Sequence, residues 1–178
     1  LFSFDQGNRV ISFGSFSKIL APGLRIGWIH AAPEIIKRFS DAALTFSGGG
    51  FNHFASALVR EVMDLGLLDK HVSVLREEYL IRSEAMDQSL QHYLGSEIEY
   101  TRPAGGYYFW ITFPENFDSD RLLNSAEMAG VSYRPGNSFS ESGRFSRQIR
   151  LAYTLFEVDE LKEGISRLYQ AYQDFNSF

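Results

Sequence analysis

Cysteine is absent from this sequence, which excludes disulfides and thiolate metal sites and leaves no mark of an oxidising compartment. An excess of positive charge is missing too. With 17 Lys and Arg against 22 Asp and Glu, the net charge is −5, and no segment clusters its cations. That removes the electrostatic drive toward polyanions, so no nucleic acid is expected to bind this segment. Apolar runs are broken by charges or glycines well short of the roughly 20 residues a bilayer demands, so no membrane span is expected. The lack of cysteine points to the cytoplasm. The start, LFSFDQGNRV, has neither an initiator Met nor a signal-peptide pattern, and Leu1 reads as a cut point.

What is present suits a globular fold: 44% of the 178 residues are hydrophobic and 15% aromatic, enough to bury a substantial core. Val10–Phe13 and Leu24–Ala32 are short apolar runs that read as buried strands. Pro33 opens a helix with Ile35, Ile36, Phe39, Ala42 and Ala43 at helical spacing, and Ser47-Gly48-Gly49-Gly50 breaks it. Helices are predicted over 52–65 and 68–94, the second with Val72, Leu75, Tyr79, Met86, Leu90 and Tyr93 on its apolar side. Beyond Gly95, strands are expected at 97–101, 107–113 and 148–154, and helices at 119–129 and 157–172. Such alternation implies an α/β or α+β layered fold.

Lysine is scarce, and that makes each one readable. Lys37, Lys70 and Lys162 fall on the polar faces of predicted helices, where a solvated ammonium is expected. Lys18 alone lies elsewhere, in Ser15-Phe16-Ser17-Lys18-Ile19-Leu20-Ala21-Pro22-Gly23-Leu24-Arg25-Ile26-Gly27, at the mouth of two predicted strands. An amine that attacks a carbonyl must be neutral often enough to do so, and desolvation or a nearby cation such as Arg25 favours that. Ser15, Ser17 and Arg25 offer short donors and a planar fork for a phosphate, and Pro22-Gly23 can turn the chain between lysine and arginine. An isolated Ser-Lys pair reads more simply as a solvated loop; the longer pattern is what tips the balance. The four histidines, His30, His53, His71 and His92, lack metal-ligand spacing, and no metal is expected.

The run Ser-x-Ser-Lys, five residues, then Leu-Arg-Ile-Gly resembles the lysine signature of fold-type I pyridoxal-phosphate enzymes. Within them it is similar to the branch of aminoadipate and kynurenine aminotransferases and of the aminotransferase-like domains of some bacterial regulators. Two further stretches fit: Pro103-Ala104-Gly105-Gly106-Tyr107-Tyr108-Phe109-Trp110 is similar to the family's Pro-x-Gly-Gly-x-Phe-x-Trp, and Gly130-Val131 through Tyr133-Arg134-Pro135-Gly136 to Phe139 matches the next landmark. In a third, Ile149-Arg150-Leu151-Ala152-Tyr153-Thr154, strand alternation puts Arg150 on one face among small neighbours, with room for a carboxylate to dock.

The resemblance implies the C-terminal part of a large cofactor-binding domain over 1–78 and an α+β small domain over 79–178. It implies pyridoxal 5'-phosphate as cofactor, Lys18 as its Schiff-base lysine and catalytic base, Ser15, Ser17 and Arg25 on its phosphate, and Arg150 on the substrate α-carboxylate. The implied activity is amino-group transfer between an amino acid and a 2-oxo acid by a homodimer. The family's contacts to the pyridine ring fall before Leu1, so this chain alone is expected to bind the cofactor weakly and to be inactive. A cofactor-sensing effector domain of a winged-helix regulator, or a lyase, stays open as an alternative.

Overall fold

The computed structural model describes residues 9–42, 45–46 and 50–176, and its chain falls into two units, Leu1–Arg76 and Glu77–Phe178. Ala43, Ser47, Gly48 and Gly49, read above as a helix end and its breaker, lie outside the described residues.

In the first unit, Ser12–Ser15 (β1) and Gly27–His30 (β2) pair antiparallel, with Ser15 opposite Gly27 and Gly14 opposite Trp28. Gly14 is required here because the Trp28 ring occupies the space a Cβ would take. β1 is as long as its apolar run but shifted along it, β2 is shorter than its run, and, contrary to expectation, the strands are not buried: Phe13 is 71% exposed, Trp28 43% and Ile29 40%. Among the described residues these two strands form a sheet of their own, and a two-stranded ribbon with open faces cannot bury the alternate side chains of both. The second run is also interrupted at its start by a 3-10 turn, Pro22–Leu24, because Pro22 presets the turn's φ. Helix α1 then covers Pro33–Ser40 and α2 covers His53–Asp64. Asn52 caps α2 by accepting from the Ala55 N–H at 3.2 Å.

Helix α3 runs from Leu67 to Tyr93, and the boundary between the units falls within it. The second unit has a four-stranded antiparallel sheet of Glu99–Tyr100 (β3), Tyr108–Thr112 (β4), Arg134–Pro135 (β5) and Gln148–Ala152 (β6), in the order β3-β4-β6-β5. Helix α4, Ser119–Met128, starts at Asp118, whose carboxylate accepts from the Asp120 and Arg121 N–H groups. Helix α5 spans Val158–Asn176. Strand alternation sends Phe109 and Ile111 of β4 and Ile149 and Leu151 of β6 into a core shared with Leu90, Leu122, Ile165 and Leu168. The opposite face keeps Tyr108, Trp110, Arg134, Arg150 and Ala152 at least partly open. β5 was not anticipated, since two residues carry no periodicity.

Tyr100 is held at the sheet edge by donating to Asp87 Oδ1 at 2.7 Å and accepting from Gln91 Nε2 at 2.9 Å. Burial, and then the bond to Asp87, pushes its phenol up from 10.0 to about 12. Unfolding frees that proton near pH 10, whereas the folded chain keeps it, so this stabilisation is complete below pH 10 and lost as pH rises through about 12. Tyr100→Phe is therefore expected to flatten the alkaline loss of stability across that window. Denaturant midpoints measured along a pH series check it, and a slope matching the unsubstituted protein would reject it.

Candidate functional site

The hairpin register builds one group of side chains. Beyond the Ser15–Gly27 pair, the Phe16 N–H donates to the Ile26 carbonyl at 3.0 Å, which closes the base of the loop. The Leu20 and Ala21 N–H groups both donate to the Phe16 carbonyl, making the turn on which Lys18 sits, exposed. The returning chain carries Arg25 back beside Ser17: Arg25 Nη1 donates to Ser17 Oγ at 3.4 Å and to the Pro22 carbonyl at 3.1 Å. Ser15 Oγ accepts from the Ser17 N–H at 3.1 Å. Ser15, Ser17 and Arg25 are thus brought together at the loop base, with Lys18 next in the chain.

Arg25 has φ 54 and ψ 43, and it is the non-glycine residue with positive φ among those described. The left-handed region costs an L-residue about 1–2 kcal/mol. A glycine would sit there without strain, whereas the arginine at this position puts its guanidinium against Ser17 and the Pro22 carbonyl. The Leu24 carbonyl just before it accepts from Asn52 Nδ2 at 3.1 Å, so the cap of α2 also fixes the loop. Sequence reasoning missed Asn52, because this bond crosses 28 residues.

In the second unit Arg150 lies on β6, opposite Trp110 of β4 and Arg134 of β5. Its neighbours are not the small residues expected. The guanidinium carbon lies 3.9 Å from the centroid of the Tyr108 ring and 4.5 Å from that of Phe139, an aromatic sandwich. The expectation counted only positions along one strand, whereas both rings arrive from elsewhere in the chain. Arg150 Nε is buried with no hydrogen-bond partner. A buried charged donor left open is costly unless something else satisfies it, and a carboxylate is the natural acceptor. Of the aromatic run, Phe109 is core, while Tyr108 and Trp110 are each 36% exposed on the open face.

The aminotransferase class I and II family matches residues 1–168. The chain is 36% identical to aromatic-amino-acid aminotransferase 1 of Thermococcus litoralis over 93% of its own length and 40% of that protein's. It is 33% identical to the HTH-type transcriptional regulator TauR of Rhodobacter capsulatus, covering 95% of this chain and 35% of TauR. The structure of Pyrococcus horikoshii kynurenine aminotransferase superposes with a TM-score of 0.85 at 35% identity, over 97% of this chain and 43% of that one. The chain therefore belongs to the aminotransferase class I and II family, and its fold is the α/β fold-type I of pyridoxal-phosphate-dependent transferases. It spans about two fifths of the length of the aminotransferases it matches.

Proposed function

We propose that the protein is an aminotransferase that moves an amino group between an amino acid and a 2-oxo acid, using pyridoxal 5'-phosphate. The loop that gathers Ser15, Ser17 and the strained Arg25 beside Lys18 carries this reading, because two hydroxyls and a guanidinium fit a phosphate. When bound, the cofactor supplies an aldehyde that captures amines and a conjugated ring that takes up the electron pair left by the α-proton. Ser15, Ser17 and Arg25 hold its phosphate. Lys18 Nζ would anchor it and, when free of it, would take the proton from the substrate Cα. Arg150 binds the α-carboxylate through its open donors and so fixes which bond at Cα is broken. The region 1–78 serves as the C-terminal part of the large domain and 79–178 as the small domain, in a cytoplasmic homodimer.

The 33% identity to TauR favours a second reading, a cofactor-sensing domain of a transcriptional regulator. One experiment addresses the shared core of both. The protein as its gene encodes it is incubated with pyridoxal phosphate, reduced with borohydride, digested and mapped. The label is expected on Lys18, and a label on Lys37, Lys70 or Lys162 instead would overturn the site. Amino-group transfer to a panel of 2-oxo acids then separates the enzyme from the regulator.

A further inference from the structure

Antiparallel pairing of β5 with β6 sets Arg134 directly opposite Arg150. Directly opposed residues in such a pair point to the same face with Cβ atoms about 5 Å apart, and like charges there are destabilising. Neither guanidinium forms an ion pair among the described residues, and that of Arg150 lies against the two aromatic rings. Both line one open cavity of about 490 Å³ with Tyr108, Ser132, Tyr133 and Glu127. Glu127 is its one acidic group, and its Oε1 accepts from Ser132 Oγ at 3.2 Å without pairing with either arginine. The cavity wall therefore carries two cations against one anion.

Resting on the assignment of Arg150 to a substrate carboxylate, we propose that Arg134 is a specificity-determining residue that binds the second carboxylate of a dicarboxylic amino acid or 2-oxo acid. A ligand carrying one carboxylate satisfies Arg150 and leaves the repulsion between the arginines partly in place. A dicarboxylate meets both. Being exposed, Arg134 can change partners without repacking the core, whereas Arg150 is held between rings. The residue escapes sequence reading because its meaning lies in the β5–β6 register and not in its own neighbours.

The test is calorimetric binding of glutarate and of valerate, five-carbon probes with two carboxylates and one, to the gene-encoded protein loaded with pyridoxal phosphate. The unsubstituted protein is expected to prefer glutarate by about tenfold or more, equivalent to about 1.4 kcal/mol. Arg134→Gln should shrink that preference to about threefold or less, and Arg134→Lys should restore part of it as a point charge. Raising salt should narrow the preference too, since Arg134 is exposed. A glutarate preference that survives Arg134→Gln, or is absent from the start, overturns the proposal while the function stands. If Arg150→Gln leaves both affinities unchanged, the assignment of Arg150 itself fails.

Discussion

In the gene-encoded protein, replacing Lys18 by Ala is expected to lower kcat for amino-group transfer by at least about 10³-fold, because in the proposed reaction one side chain both anchors the cofactor and moves the Cα proton. The fold should not suffer. Lys18 is exposed on a turn whose closure depends on backbone bonds from Leu20 and Ala21 to the Phe16 carbonyl, and the loop base depends on Phe16 and Ile26. Lys18→Arg separates charge from chemistry: it keeps the cation, but a guanidinium does not give up its proton in proteins and cannot act as the amine. Both variants should therefore be equally inactive while their circular dichroism matches the unsubstituted protein. Single-turnover kinetics with an added small amine completes the test, since the amine can replace the base. Activity in Lys18→Ala within tenfold of normal would remove Lys18 from the mechanism.

Lys18 was singled out on local information alone: four lysines in the chain, three of them on helical polar faces. Ser17 and Arg25 were legible for a related reason, being eight residues apart across one hairpin loop. The helices also came through nearly whole, because capping and periodicity act within a few turns. Pro33 opens α1, and both α2 and the long α3 fall within a residue of their expected spans. Strands fared worse in detail. Their ends depend on partners distant in sequence, so β1 began two residues later than its apolar run, and β5 was unseen. Arg150 had the correct face but the wrong neighbours, since Tyr108 and Phe139 reach it through chain pairings that no single segment displays.

Phe109→Ala should have the largest effect on stability, about 3–5 kcal/mol. Phe109 is wholly buried in β4, opposite Leu151 of β6. Its ring meets those of Tyr100 and Tyr153 edge-on, each centroid 5.7 Å away. Truncation removes the apolar transfer energy of a phenyl group, both aromatic contacts, and the filling of space between sheet and helices, which relaxes only in part. The loss rivals the whole stability of many domains, about 5–15 kcal/mol. It also bears on the site, because the β4–β6 pairing around Phe109 is what brings Tyr108 beside Arg150. Phe109→Leu keeps most of the volume and is the control, with an expected cost below that of the alanine variant. Denaturant titration of the two variants beside the unsubstituted protein reads the difference in midpoint. A cost under about 1 kcal/mol for the alanine variant would mean that the core of the second unit is not packed around this ring. The larger cost, with weakened carboxylate binding in the fraction still folded, would tie the geometry of Arg150 to a residue that never touches a ligand.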